Sequence, residues 1–303
     1  MHFKRIEESK KEVISSISKY GKCAEHNYFH FLYKQNPSRE CYFFDFGDSK
    51  GACAFLSKES KVMTLISDML APRDERSKLL HGFFDFCKKE FGTSKIKIEI
   101  DGEFKRVLEN EEGLKLNVNY SLDWPVYNLE QVDNELNGRM WKKVRNIRNN
   151  FLKGFEIKVH DARNTDARLM NNVLDSWLSK RSTNDYVDVN YYRNAFKDGF
   201  SGCDIARAYK INGKISAISA GWRIPNSNCA YYGIGLMDYG IKNLGDFVNI
   251  EDILFAKSMG FGFVDLGGSD DNLLKFKKKF RPERIYRTFA CTLRGKNGNT
   301  GEN

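Results

Sequence analysis

Ile205-Ala-Arg-Ala-Tyr-Lys-Ile-Asn-Gly-Lys-Ile-Ser-Ala-Ile-Ser-Ala-Gly-Trp-Arg223 is the stretch on which the fold class turns. Two strand-like runs, Ile205 to Ile211 and Ile215 to Arg223, flank Asn212-Gly213. That dipeptide tolerates the positive φ angles of a two-residue hairpin turn and so predicts an antiparallel pair. Working outward, Asn228 to Ile234 reads as a third strand and Asp246 to Met259 as a helix. Phe263 to Leu266 is a strand, Leu273 to Phe280 a short helix, and Tyr286 to Leu293 a strand that closes the sheet. Upstream, Asp166 to Lys180 has the spacing of an amphipathic helix, with Leu169, Val173, Leu174 and Trp177 on its apolar side. Phe155 to Val159 is a candidate first strand, and Asp133 to Leu152 reads as a long basic helix.

The same order of elements occurs earlier in the chain. Cys41 to Phe46, Gly51 to Ser57 and Val62 to Ser67 read as short strands, and Ser77 to Phe91 as a helix whose apolar face carries Leu79, Leu80, Phe83, Phe84 and Cys87. Lys95 to Ile100 alternates, with Ile96, Ile98 and Ile100 on one face. Asp101-Gly102 then turns the chain into a helix ending near Gly113, and Leu116 to Tyr120 closes the set. Reading β-β-β-α-β-α-β twice predicts an α/β protein of two tandem domains, residues 1–130 and 131–303. A chain of 303 residues is long enough for both.

Composition narrows the class. Hydrophobic residues make up 41% and aromatic residues 14%, with five prolines, which is the profile of an ordered globular protein. No apolar run approaches the roughly 20 residues that cross a bilayer, and the charged start MHFKRIEESKKEV has no apolar stretch behind it. The expectation is a cytoplasmic protein. Seven scattered cysteines without a C-x-x-C pair, and five histidines without ligand spacing, predict reduced thiols and no structural metal. The formal charge of +9 favours polyanionic partners such as tRNA, coenzyme A or anionic lipid head groups, without choosing among them.

Several residues stand out chemically. A helical wheel over Leu273 to Phe280 groups Leu273, Leu274, Phe276 and Phe280, and puts Lys277 inside that apolar face while Lys275, Lys278 and Lys279 point away. Such a lysine either packs its stem on the core with its head in water, or presents an ammonium to charge that develops in a reaction. A wheel over Arg139 to Lys153 groups Trp141, Val144, Ile147, Phe151 and Leu152. Arg148 falls among them and Arg145 at the edge, which makes both candidates to meet a phosphate or carboxylate of a ligand or at a domain interface, while Trp141 is a candidate substrate contact. Tyr232 and Gly233 end an aromatic strand, where Gly233-Ile-Gly235 marks either a bulge beside a ligand or only a turn. Asp265 ends an apolar strand before Gly267-Gly268-Ser269. It is a candidate base or anchor, or a cap for the turn amides, and Gly268 and Ser269 are candidate substrate contacts.

Taken together, Trp141-Lys-Lys-Val-Arg-Asn-Ile-Arg-Asn-Asn-Phe-Leu-Lys-Gly154, Val264-Asp-Leu-Gly-Gly-Ser269 and Phe276-Lys-Lys-Lys-Phe-Arg-Pro282 resemble the GNAT superfamily. Within it they resemble the tandem-domain FemAB-like aminoacyltransferases and the soluble catalytic region of phosphatidylglycerol lysyltransferases. The resemblance covers the second domain well and the first only by its order of elements. It implies two GNAT-like domains, each a mixed, mainly antiparallel sheet flanked by helices, with the active site in the second. It also implies transfer of an aminoacyl group from aminoacyl-tRNA to an amine or hydroxyl, on a small-molecule, peptide or lipid-head-group acceptor, with no cofactor. Lys277 then contacts the acyl donor or the transition state, and Arg145 or Arg148 an anionic group. Tyr239-Gly-Ile-Lys-Asn-Leu-Gly-Asp246 departs from the (Gln/Arg)-x-x-Gly-x-(Gly/Ala) loop of acetyl-CoA-dependent relatives. A coenzyme A thioester donor is therefore the alternative, and a non-catalytic adaptor for tRNA or peptide is the third reading.

Overall fold

The computed structural model describes residues 1–181 and 187–295. The described residues divide into two compact units, one of residues 1–123 and 287–295, the other of residues 124–181 and 187–286.

The first unit contains β1 (His2–Arg5), α1 (Lys10–Tyr20), α2 (Tyr28–Tyr33), β2 (Arg39–Gly47), β3 (Lys50–Ser57), β4 (Met63–Leu65), α3 (Arg76–Phe91), β5 (Lys95–Asp101) and α4 (Gly102–Glu109). It also holds the start of β6 (Leu114–Asn128). Side chains alternate across a strand, and β2 uses both faces. Tyr42 and Phe44, with Ala52 and Ala54 of β3, meet Leu80, Phe83, Phe84 and Cys87 of α3. Cys41, Phe43 and Cys53 meet Val13 of α1 and Tyr28 and Phe31 of α2. Helices on both sides explain why Cys41 to Phe44 is a continuous buried run. Pairing is antiparallel except between β4 and β5 among the described residues.

The second unit contains the end of β6, α5 (Lys142–Gly154), β7 (Ile157–Asp161), α6 (Ala167–Leu178), α7 (Val189–Lys197), β8 (Ile205–Ile211), β9 (Lys214–Arg223), β10 (Cys229–Met237), α8 (Leu244–Ser258), β11 (Phe263–Asp265), α9 (Asp271–Lys277) and the start of β12 (Arg284–Gly295). The hairpin forms as the sequence predicts: Lys210 and Ile211 pair with Ile215 and Lys214, and Asn212 and Gly213 take φ of 47° and 84°. Strands run in the order β7-β8-β9-β10-β11-β6, with β10 and β11 parallel. On one side α6 packs on β9 and β10. On the other α8 packs on β9, β10 and β11, with α5 against it.

Four expectations need correction. Tyr286 to Leu293, read as closing the second sheet, instead pairs from Thr288 to Arg294 with β5 of the first unit, and Cys291 and Leu293 enter that unit's core. The place beside β11 is taken by Val126, Tyr127 and Asn128 of β6, which runs to 15 residues. A closing strand carries no local signal of which sheet it joins. The basic helix begins at Lys142, not Asp133: the Asp133 carboxylate accepts from the Glu135 and Asn137 amides, and Leu136 and Gly138 have positive φ, so the chain turns first. On α6, Asp166 caps the Arg168 amide, leaving Leu169 exposed and Met170 buried. On α9, Leu273 is exposed, whereas Leu274 and Lys277 point inward.

Candidate active site

Strand β10 shapes the site. Its register with β9 shifts between Tyr231 and Ile234, a bulge made possible by two glycines. A Cβ on Gly221 would lie 2.1 Å from the Tyr231 carbonyl oxygen, and one on Gly233 would lie 2.6 Å from the Trp222 ring. On its other edge β10 pairs with β11 only as far as Tyr231 opposite Asp265, where β11 ends while β10 continues to Met237. Where the pairing stops, a cavity of about 560 Å³ opens within the second unit. Its walls are the bulged half of β10, the Leu266–Gly268 turn, Phe276 and Lys277 of α9, the start of α8, and Trp177 of α6.

Lys277 is 6% exposed. Its Nζ donates to the Leu266 carbonyl at 2.6 Å and the Gly267 carbonyl at 2.8 Å. An ammonium has three N–H groups, so one remains for a ligand in the cavity that Lys277 lines. Burial pulls its pKa down to about 8, against the nearby Asp265 and Asp270 carboxylates that hold it up. The turn that receives it is fixed from behind. Asp265 is fully buried, its Oδ1 accepts from the Gly267 amide and its Oδ2 from the Tyr286 hydroxyl, each at 2.8 Å. Burial lifts the Asp265 pKa to about 6, opposed by those hydrogen bonds and by Lys277. Ser269 is buried too, donating to the Gly267 carbonyl at 3.3 Å.

Lys277, Tyr232, Gly233 and Gly268 thus share one cavity wall, and Asp265 and Ser269 support the turn beside it. The other three candidates lie elsewhere in the unit. Trp141 is in the core cluster with Val144 and Phe280. Arg145 donates to the carbonyls of Leu136 and Gly138, bracing the turn before α5. Arg148 donates through Nε to Glu251 of α8 at 2.6 Å.

Sequence reading missed the cavity floor. Asp252 of α8 lines it with Ser219 and Tyr232, and its Oδ1 accepts from Arg207, Tyr209 and Ser219. Helix α8 is buried on nearly every side, so the local sequence around Asp252 gives little sign of it.

The bulged strand parting from its parallel neighbour, in one of two units of like topology, defines a tandem GNAT-like acyltransferase fold. Solved structures with this fold include L-PGS from Bacillus licheniformis (15% identity, 95% of this chain and 92% of that one covered, TM-score 0.67). Others are FemX (14% identity, 96% and 97% covered, TM-score 0.59) and a tandem GNAT protein from the clavulanic acid biosynthesis pathway (9% identity, 99% of each covered, TM-score 0.56). The model of the family described as phosphatidylglycerol lysyltransferase, C-terminal, matches residues 29–292, so the chain belongs to that family and is an aminoacyltransferase-type enzyme. No curated protein matches it.

Proposed function

We propose that the chain moves an aminoacyl group from aminoacyl-tRNA to an amine or hydroxyl acceptor in the cytoplasm, with the second unit's cavity as the place of transfer. The observation that carries this is Lys277: a buried ammonium in the cavity wall, held by two carbonyls, with one N–H left to give. The acceptor heteroatom attacks the ester carbonyl carbon, and the new bond forms as the bond to the tRNA ribose oxygen breaks. The proton lost by the acceptor ends on that ribose oxygen. Negative charge gathers first on the carbonyl oxygen and then on the leaving oxygen, and Lys277 offers either a charged donor that is itself buried. No covalent enzyme intermediate is required, because orientation and charge stabilisation suffice. The +9 charge supports a polyanionic donor, and the acceptor is a small molecule, a peptide or a lipid head group.

A coenzyme A thioester is the second reading, favoured by the start of α8. There the amides of Gly245 and Asp246 make no hydrogen bond among the described residues, and Lys242 lines the same rim. Offering the protein tRNAs charged with labelled amino acids, and in parallel labelled acetyl-CoA, separates the two by which donor is consumed. The expected result is loss of one aminoacyl-tRNA. Lys277→Ala should lower single-turnover transfer by roughly 10²–10³-fold with the far-UV circular dichroism unchanged. Wild-type rates in that variant would remove Lys277 from the chemistry.

A further inference from the structure

We propose that Asp252 anchors an ammonium group of the ligand at the floor of the second unit's cavity. The proposal rests on the aminoacyl-transfer reading, which it deepens by naming how the donor is recognised.

The case begins with an imbalance within one carboxylate. Oδ1 accepts three hydrogen bonds, from Arg207 at 2.9 Å, the Tyr209 hydroxyl at 2.5 Å and the Ser219 hydroxyl at 2.9 Å. Oδ2 accepts none from any described residue, although Asp252 is only 4% exposed. Nor is Oδ2 among the sealed-off atoms that lack partners, so what exposure it keeps is toward the cavity that Asp252 lines. Carboxylate oxygens withdrawn from water are nearly always hydrogen-bonded, because their desolvation is otherwise uncompensated. Here the donor has to come from what enters the cavity.

Several of the unit's cations are engaged elsewhere, and Lys242 on the cavity rim is exposed. Lys277 is held by the Leu266 and Gly267 carbonyls, Lys279 by Asp246 and Lys214 by Asp238, while the Arg181 guanidinium lies over the Trp177 ring. Arg207 reaches the carboxylate through Oδ1 and also donates to the Glu251 carbonyl. A compact ammonium fits the remaining oxygen: it brings several N–H donors to a charged acceptor in a place of low dielectric, where such pairs are strong. Tyr232 fixes the floor by donating to the Asp252 backbone carbonyl at 2.9 Å, and Ser219 fixes the carboxylate. An aminoacyl ester carries an ammonium on its α-carbon, and a basic amino acid carries a second at the end of its side chain. Both offer the same chemistry to Oδ2.

Calorimetric titration of the full chain with three amides tests this and tells the sources apart. Alaninamide has only the α-ammonium, Nα-acetyllysinamide only the side-chain ammonium, and N-acetylalaninamide neither. At least one of the first two should bind, the third should not, and Asp252→Asn should weaken the binding at least tenfold. Binding of alaninamide assigns the α-ammonium, and binding of Nα-acetyllysinamide the side chain. Because Asp252→Asn strands the Arg207 charge, the double variant Arg207→Gln/Asp252→Asn, which buries no net charge, serves as a second test and should show the same loss. Equal affinity in wild type and both variants, equal binding of N-acetylalaninamide, or no binding to wild type at millimolar amide overturns the proposal. If the wild type and Asp252→Asn consume aminoacyl-tRNA equally fast, the anchor falls and the transfer reading stands. An Asp252-dependent amide affinity in a protein that consumes no aminoacyl-tRNA has the opposite consequence.

Discussion

Each unit places one helix between its two parallel strands, α3 between β4 and β5, α8 between β10 and β11, and the two helices begin in contrasting surroundings. In the first unit the space is filled. Arg76, the first residue of α3, is 1% exposed, donates through Nε to the Ala71 carbonyl at 3.2 Å and pairs with the buried Asp68. Its strand β4 has three residues, and the following segment folds back so that Leu70 bridges Gly51. In the second unit β10 runs for nine residues, bulges at Gly233 and leaves its partner at Asp265, and the helix start faces a cavity. One fold therefore yields a plugged sheet and an open one. The site comes from strand length, a bulge and two buried charged groups turned toward empty space, which the fold alone does not supply.

The plug gives the sharpest way to break this contrast. Arg76→Met removes the cation and leaves the Asp68 carboxylate buried without its partner, a change that costs about 3–5 kcal/mol in comparable sites. Urea unfolding of the variant should show a loss of that order. Turnover per folded molecule should be unchanged, since the cavity belongs to the other unit. Replacing both members, Arg76→Met with Asp68→Leu, should recover most of the loss. If the single variant is as stable as wild type, the pair does not plug the sheet.

A pH series probes the open sheet. Lys277 has a pKa near 8, below the ordinary lysine value of 10.5, because burial disfavours its charge. If the ammonium stabilises developing charge, transfer falls as pH rises through about 8. The stability linkage has the opposite sign. Between about 8 and the unfolded value the unfolded chain binds the extra proton, so folding becomes more favourable with rising pH over the window in which activity is lost. Rate profiles and urea midpoints from pH 7 to 10 should therefore diverge, and Lys277→Ala should lack both slopes. A parallel fall of activity and stability would mean that the alkaline loss is unfolding.

Sequence alone reached most of the second unit, since its elements announce themselves locally. Asn212-Gly213 sets a hairpin within three residues of chain, and the Lys277 anomaly lies within one helix. The exchange of closing strands was hidden because Leu114–Asn128 and Arg284–Gly295 find their neighbours through contacts far apart in sequence. Asp252 was missed for a related reason. Helix α8 is buried on nearly every side, so its wheel has no apolar stripe for an acid to violate, and its partners Arg207, Tyr209 and Ser219 come from two other strands. The beginning of the chain went unread: β1 extends the first sheet beside β2, and α1 and α2 cover one face with a modest apolar pattern that gains meaning only once Cys41, Phe43 and Cys53 lie beneath it.

The smallest effect concerns the ion pair between α5 and α8, the partly exposed counterpart of the buried plug. Arg148 and Glu251 keep 23% and 18% of their side-chain surface, and only Nε of the guanidinium meets the carboxylate. A pair this wet contributes between zero and about 1 kcal/mol, so Arg148→Ala should barely move the urea midpoint. The terminal amino groups make no hydrogen bond among the described residues, which leaves them for an anionic donor. If they meet a phosphate, the plot of log affinity for aminoacyl-tRNA against log salt loses about one unit of slope in Arg148→Ala, and affinity drops evenly across tRNAs. That is the expected outcome under the aminoacyl-tRNA reading, read from filter binding between 50 and roughly 200 mM salt. An unchanged slope would make Arg148 a packing partner of Glu251, and would place the polyanion on the other basic side chains.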